Sequence, residues 1–146
     1  MKVRLFPILA VLAAVAVGCK SEPYNTAPVS GRITVDGKAV ANIEVMFQPV
    51  HTQGNYTPGP GSYGITDADG RYTLKIIGKE SAGAVVGKHK VRFGNYSPPG
   101  DPSDDRPRVI KHAVTIPAKY NDIEGKMEFE VPSGGTTAAD FNLVTK

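Results

Sequence analysis

The densest chemistry in the chain lies in TDADGRYTL, residues 66–74, where two carboxylates one residue apart precede a glycine. That spacing can open a calcium loop. With Asp67 at the first position, such a loop needs oxygen ligands at the third and fifth, glycine at the sixth and a bidentate glutamate at the twelfth. Asp69 fills the third place, but Arg71, Tyr72 and Gly78 stand at the fifth, sixth and twelfth. The same residues suit a β-turn: Asp67 can accept from nearby backbone amides, and Gly70 can take the left-handed conformation that closes a type I turn into a bulge. A turn is expected, with weak surface calcium as the other reading.

The remaining reactive residues form no recognisable constellation. His51, His89 and His112 are far apart and lack zinc-ligand spacing. His89 falls on the apolar phase of KHKVRF and is expected in the core, whereas His51 and His112 are expected in solvated loops. Ser62 in GPGSYG is flanked by glycines without matching the nucleophile-elbow pattern, so a flexible loop serine is expected. Tyr56 and Tyr63 around one Gly/Pro-rich loop, and Tyr96 ahead of another, are candidates for stacking on sugars or anchoring a protein partner. If every connection is a simple antiparallel return, these loops leave from opposite ends of the molecule. No catalytic group, metal or cofactor is expected, and the protein reads as not an enzyme.

The firmest functional residue is Cys19, the only cysteine. Lys2 and Arg4 precede a thirteen-residue apolar run, residues 5–17, in the layout of a secretory signal peptide. As a helix that run reaches only about 20 Å, short of the ~30 Å hydrocarbon core of a bilayer. Ala16-Val17-Gly18-Cys19 resembles the bacterial lipobox, with alanine where leucine is usual. The resemblance implies cleavage before Cys19 and two or three acyl chains on it, enough for stable anchoring to a membrane. Loss of Lys2 and Arg4 takes seventeen basic residues to fifteen against fourteen acidic ones, a net charge of +1. Such a balance gives no case for a nucleic-acid partner.

These residues have to be positioned by strands. The chain has 146 residues, 40% of them hydrophobic, enough for one domain with its own core. Sixteen glycines and twelve prolines favour many turns. Period-two alternation runs through VSGRITV, with Val29, Gly31, Ile33 and Val35 in one phase, and through IEVMF, with Ile43, Val45 and Phe47. It recurs in RYTLKII (Tyr72, Leu74, Ile76), in KHKVRF (His89, Val91, Phe93), in MEFEV (Met127, Phe129, Val131) and around Phe141 and Leu143. Asp36-Gly37 is a hairpin signal. The segment at 63–66 and RYTLKII are expected to form a hairpin across the Asp67 turn. Lys88, Lys90 and Arg92 point away from the core, and Glu128 and Glu130 are spaced to neutralise them across a strand pair. The expectation is an all-β fold, a single antiparallel β-sandwich of about seven strands. Residues 97–112, with four prolines, form a long loop or poorly ordered insertion.

VSGRITVDGKAVANIEVMFQP, GITDADGRYTL, GKHKVRF, IPAKYND and FEVPSGGTTAADFNL occur in the order that resembles the carboxypeptidase regulatory-like domain family, a transthyretin-like (prealbumin-like) β-sandwich. The chain looks most like the small bacterial lipoproteins that carry one such domain and little else. The implied organisation is a signal peptide at 1–18, a polar tether at 19–26 and the domain at 27–146. The resemblance implies an accessory or adhesive module without peptidase activity, whose partner is an envelope protein or polysaccharide. A similar sandwich in intradiol dioxygenases holds iron through two tyrosines and two histidines, but no spacing here supports that set.

Overall fold

The computed structural model describes residues 22–51, 57–79, 81–98, 112–122 and 127–146. In chain order these form β1 (Thr26–Ala27), β2 (Ser30–Val35), β3 (Lys38–Ala39), β4 (Ile43–Pro49), β5 (Ser62–Ile65), β6 (Arg71–Thr73) and β7 (Lys75–Ile76). Then follow β8 (Ala84–Val85), β9 (Gly87–Asn95), a 3-10 turn (Ala118–Tyr120), β10 (Glu128–Val131) and β11 (Phe141–Leu143). Cys19, Tyr56 and most of the 97–112 segment lie outside the described residues.

Alternation decides the longest strands. In β4, Ile43, Val45, Phe47 and Pro49 are buried while Gln48 is exposed; in β9, His89, Val91 and Phe93 are buried while Lys88 is exposed. The two strands run antiparallel from Ile43↔Asn95 to Pro49↔His89, so their apolar faces coincide. They sit inside a five-stranded sheet ordered β10-β9-β4-β5-β7. A second sheet holds β11-β2-β3, with β6 also on β2, and β1 pairs with β8.

The two main sheets meet through aromatic rings. Phe47 and Phe93 of the five-stranded sheet lie 6.2 and 5.0 Å from Phe141 of β11, in edge-on geometry. Ile33, Leu74, Val131 and Leu143 complete the core. Burial of each such side chain stabilises by about 1.5–3 kcal/mol before chain entropy is subtracted. The architecture is all-β and consistent with a β-sandwich.

Three local expectations hold for stated reasons. Asp36 and Gly37 both have positive φ, 49° and 77°, which gives the β2–β3 hairpin the mirror-image turn its twist needs. Asp67 Oδ1 accepts from the amides of Asp69 and Arg71, both at 2.9 Å, and Gly70 has φ 72°. The TDADG stretch is therefore a turn whose aspartate satisfies backbone donors. Glu128 and Glu130 lie opposite Lys90 and Lys88, and Lys88 Nζ is 2.9 Å from Glu128 in an exposed pair. Water screens an exposed pair of that kind, so it adds little to stability.

Several expectations are corrected. Across the Asp67 turn, β6 does not continue the β5 ladder; it pairs with β2, Gly31↔Tyr72, and the chain then crosses to place β7 on β5, Ser62↔Ile76. Leu74 sits at the crossing, its amide bonded to Val29 O and its carbonyl to the Gly83 amide, so the switch leaves neither backbone group unmet. Where about seven strands were expected, the described residues form eleven short ones. The sandwich is also not wholly antiparallel, because β11 runs parallel to β2, Leu143↔Val35. Ser62 is no loop serine: it lies in β5, fully buried, opposite Phe47. His112 is half-buried, with Nδ1 shielded from water, rather than solvated; His51 is exposed as expected.

Candidate functional site

The pairing of β2 with β6 builds an open cleft of about 650 Å³. Ser30 and Arg32 project from β2, Arg71 and Thr73 from β6, Asp67 from the turn, and Thr137 and Asp140 from the segment before β11. Arg32 and Arg71 are register partners, directly opposite each other on neighbouring strands. Like charges so placed repel and cost stability.

Asp67 and Asp140 line the same cleft, so its two positive and two negative formal charges balance. Asp67 Oδ1 is committed to two backbone amides, and Asp140 Oδ1 accepts from the Arg32 amide at 2.7 Å. Arg32 Nε donates to the Asp69 carbonyl at 2.9 Å, which steadies the guanidinium at the cleft rim. Beneath them Tyr72 is buried and its hydroxyl donates to Ala139 O at 2.6 Å. Burial, and secondarily the negative charge of Asp140, push that phenol well above its ordinary pKa, so it stays a neutral donor. The cleft thus brings two guanidinium groups, two carboxylates and the hydroxyls of Ser30, Thr73 and Thr137 together over the buried Tyr72. Among the described residues, neither histidine nor cysteine lines it. A guanidinium group flanked by hydroxyls can hold a carboxylate or a phosphate.

The tyrosines singled out by type do not converge. Tyr63 belongs to β5 rather than a loop, half-buried and in register with Met46 and Lys75. Tyr96 follows β9, where its amide bonds Asn42 O at the start of β4, whereas the loop holding Tyr56 leaves from the other end of that strand. The two aromatic loops therefore leave from opposite ends. Among the described residues no group of three or more His, Cys, Asp or Glu side chains is placed to hold a metal ion. No helix among them is long and apolar enough to cross a membrane.

Sequence reasoning missed Arg32 and Arg71 because nothing local links them. The available signal was that both follow a glycine on the outward phase of a strand, in GRITV and GRYTL. No family model, curated protein or solved structure matches the chain.

Proposed function

We propose that the chain is a non-enzymatic lipoprotein of the bacterial cell envelope. It is exported, anchored through lipid on Cys19, and displays a transthyretin-like sandwich of the carboxypeptidase regulatory-like kind for structural or interaction purposes. The observation that carries the reading is the order of the N-terminus: basic residues, an apolar run too short to span, then a lone cysteine after Ala16-Val17-Gly18. Support for the fold part comes from two facing sheets joined through Phe47, Phe93 and Phe141. In cell fractionation, Cys19→Ser is expected to move the protein from membrane to soluble fractions by at least about tenfold, since more than one acyl chain is what makes anchoring stable. Unchanged membrane association would sink the anchor.

A second reading, an envelope-polymer-binding module, is favoured by the facing pair Arg32 and Arg71 rather than by the tyrosine loops. Its ligand is an acidic polysaccharide whose carboxylate or phosphate lies between the two guanidinium groups. Arg71→Ala is expected to weaken binding to acidic glycans about tenfold, roughly 1.4 kcal/mol, without lowering the melting temperature. A glycan array that is blank, or one on which the variant binds equally well, removes this reading.

A further inference from the structure

The chain between the proposed lipid and the folded domain is short, and its far end is fixed. Glu22 follows Cys19 by three residues, so their Cα atoms lie within about 11 Å of each other whatever path the backbone takes. From Glu22 onward the chain is stitched down. The Glu22 carboxylate is 2.6 Å from Lys79 Nζ, and that ammonium lies 5.1 Å from the centre of the Tyr24 ring. The Asn25 carbonyl takes the Val86 amide at 2.8 Å, and Thr26 and Ala27 pair with Val85 and Ala84. Residues 22–26, expected from their composition to be tether, are thus part of one end of the domain.

That end also carries the turn at 77–79. Ile77 is 45% exposed there, one of two exposed large hydrophobic residues among those described. The other, Val144, belongs to the opposite end: it follows Leu143, whose carbonyl takes the Asp36 amide just past the last residue of β2. Residues 22–27, by contrast, lead into the first residue of β2.

We infer that the end formed by Tyr24, Ile77 and Lys79 lies against the lipid surface that holds Cys19, with Ile77 in the headgroup region and the Lys79–Glu22 pair beside it. The inference rests on acylation of Cys19. A free flexible linker would let the domain tumble above the membrane, whereas a reach of about 11 Å to a stitched segment presses one end onto it. An aliphatic side chain, an aromatic ring and a lysine are the residue types that settle at a membrane–water boundary. The Asp36-Gly37 turn then faces away from the lipid.

The test uses the full chain, processed in a bacterial host and reconstituted into vesicles of phosphatidylethanolamine and phosphatidylglycerol. Mass spectrometry establishes the acyl chains, which also block the only native thiol. A nitroxide is attached at Ser81→Cys, on the turn beyond Lys79, or at Lys38→Cys, at the far end; both positions are exposed. Access of a water-soluble nickel relaxant is read for each and normalised to the soluble Cys19→Ser form. The Ser81 label is expected to be shielded roughly threefold more than the Lys38 label, and Ile77→Asp is expected to remove most of the difference. Equal access at both positions in acylated protein, or a difference that Ile77→Asp leaves intact, overturns the inference while the anchor stands. Absence of acyl chains overturns both.

Discussion

Replacing Gly31 with alanine is expected to cost at least about 3 kcal/mol, because the added methyl has nowhere to go. A Cβ built at Gly31 would stand 2.0 Å from Ala139 O, a backbone atom that cannot rotate aside. Relief requires the segment before β11 to retreat by more than an ångström. That retreat strains three contacts at once: Ala139 N to Ser30 O at 3.1 Å, Tyr72 Oη to Ala139 O at 2.6 Å and the Arg32 amide to Asp140 at 2.7 Å. The first two belong to buried or half-buried groups, so their partners are left unmet rather than handed to water. Gly94→Ala is the matched control. It too lies in a strand, but its Cβ would meet nothing within 4 Å, and its φ is not positive. Urea unfolding followed by tyrosine fluorescence should show the midpoint falling sharply for Gly31→Ala and changing little for Gly94→Ala. Equal midpoints would mean that β11 does not depend on this close approach. Because Asp140, Tyr72 and Arg32 all border the cleft, the same substitution should also disorganise its floor.

The glycine's role was within reach of the sequence. Gly31 falls in phase with Val29, Ile33 and Val35, and a glycine in the inward phase of a strand marks a place where another backbone approaches closely. More broadly, period-two alternation identified which side chains face inward in β4, β6, β7 and β9, since a pleated strand enforces it. The Asp67 turn was legible for a different reason: its chemistry is local, an aspartate bonding amides two and four residues ahead. Neighbour choice was not legible. Alternation fixes a face but says nothing about which strand lies alongside, so the pairing of β6 with β2 and the parallel entry of β11 had no local signature. The cleft inherits that limit. Arg32 and Arg71 become a site only when β2 and β6 are neighbours, whereas tyrosines on Gly/Pro-rich stretches drew attention by type alone. Tyr63 carried both readings: its ring suggested a loop anchor and its place at the head of the 63–66 segment suggested a strand, and β5, Ser62–Ile65, bears out the second.

The aromatic junction that joins the sheets supports the second large prediction, and it carries a titratable reporter. Phe47 is 1% exposed, with the rings of His89 and Phe129 both 5.6 Å away and Phe141 at 6.2 Å. Phe47→Ala is expected to cost about 3–5 kcal/mol, the range for deleting a buried phenyl ring whose surroundings relax only in part. His89 is fully buried beside it, with Nδ1 2.9 Å from the Gly87 carbonyl oxygen; that nitrogen therefore carries the proton of the neutral ring. Nε2 is buried with no hydrogen-bond partner among the described residues, so protonation would leave an imidazolium N–H unmet. Burial accordingly holds the His89 pKa below its ordinary value, against a smaller opposing effect of the Gly87 carbonyl. The folded state thus resists a proton that the unfolded chain accepts. Stability is greatest above the ordinary histidine pKa of about 6.5, falls as pH drops through that value by up to about 1.4 kcal/mol per pH unit, and levels off below the folded-state value. Asp36 and Glu22, whose pKa values are lowered by hydrogen bonds to Thr145 and Lys79, lose their contributions only at more acidic pH, so they do not mask this window. Removing the Phe47 ring opens space for water beside Nε2. The variant should then be less stable at pH 7.5 and, in addition, show a shallower decline between pH 7.5 and 5.5 than the parent protein. A Phe47→Ala variant that keeps the full pH slope would mean that the phenyl ring does not keep His89 dry; a parent protein without any decline over that range would mean that His89 is not held neutral by the fold.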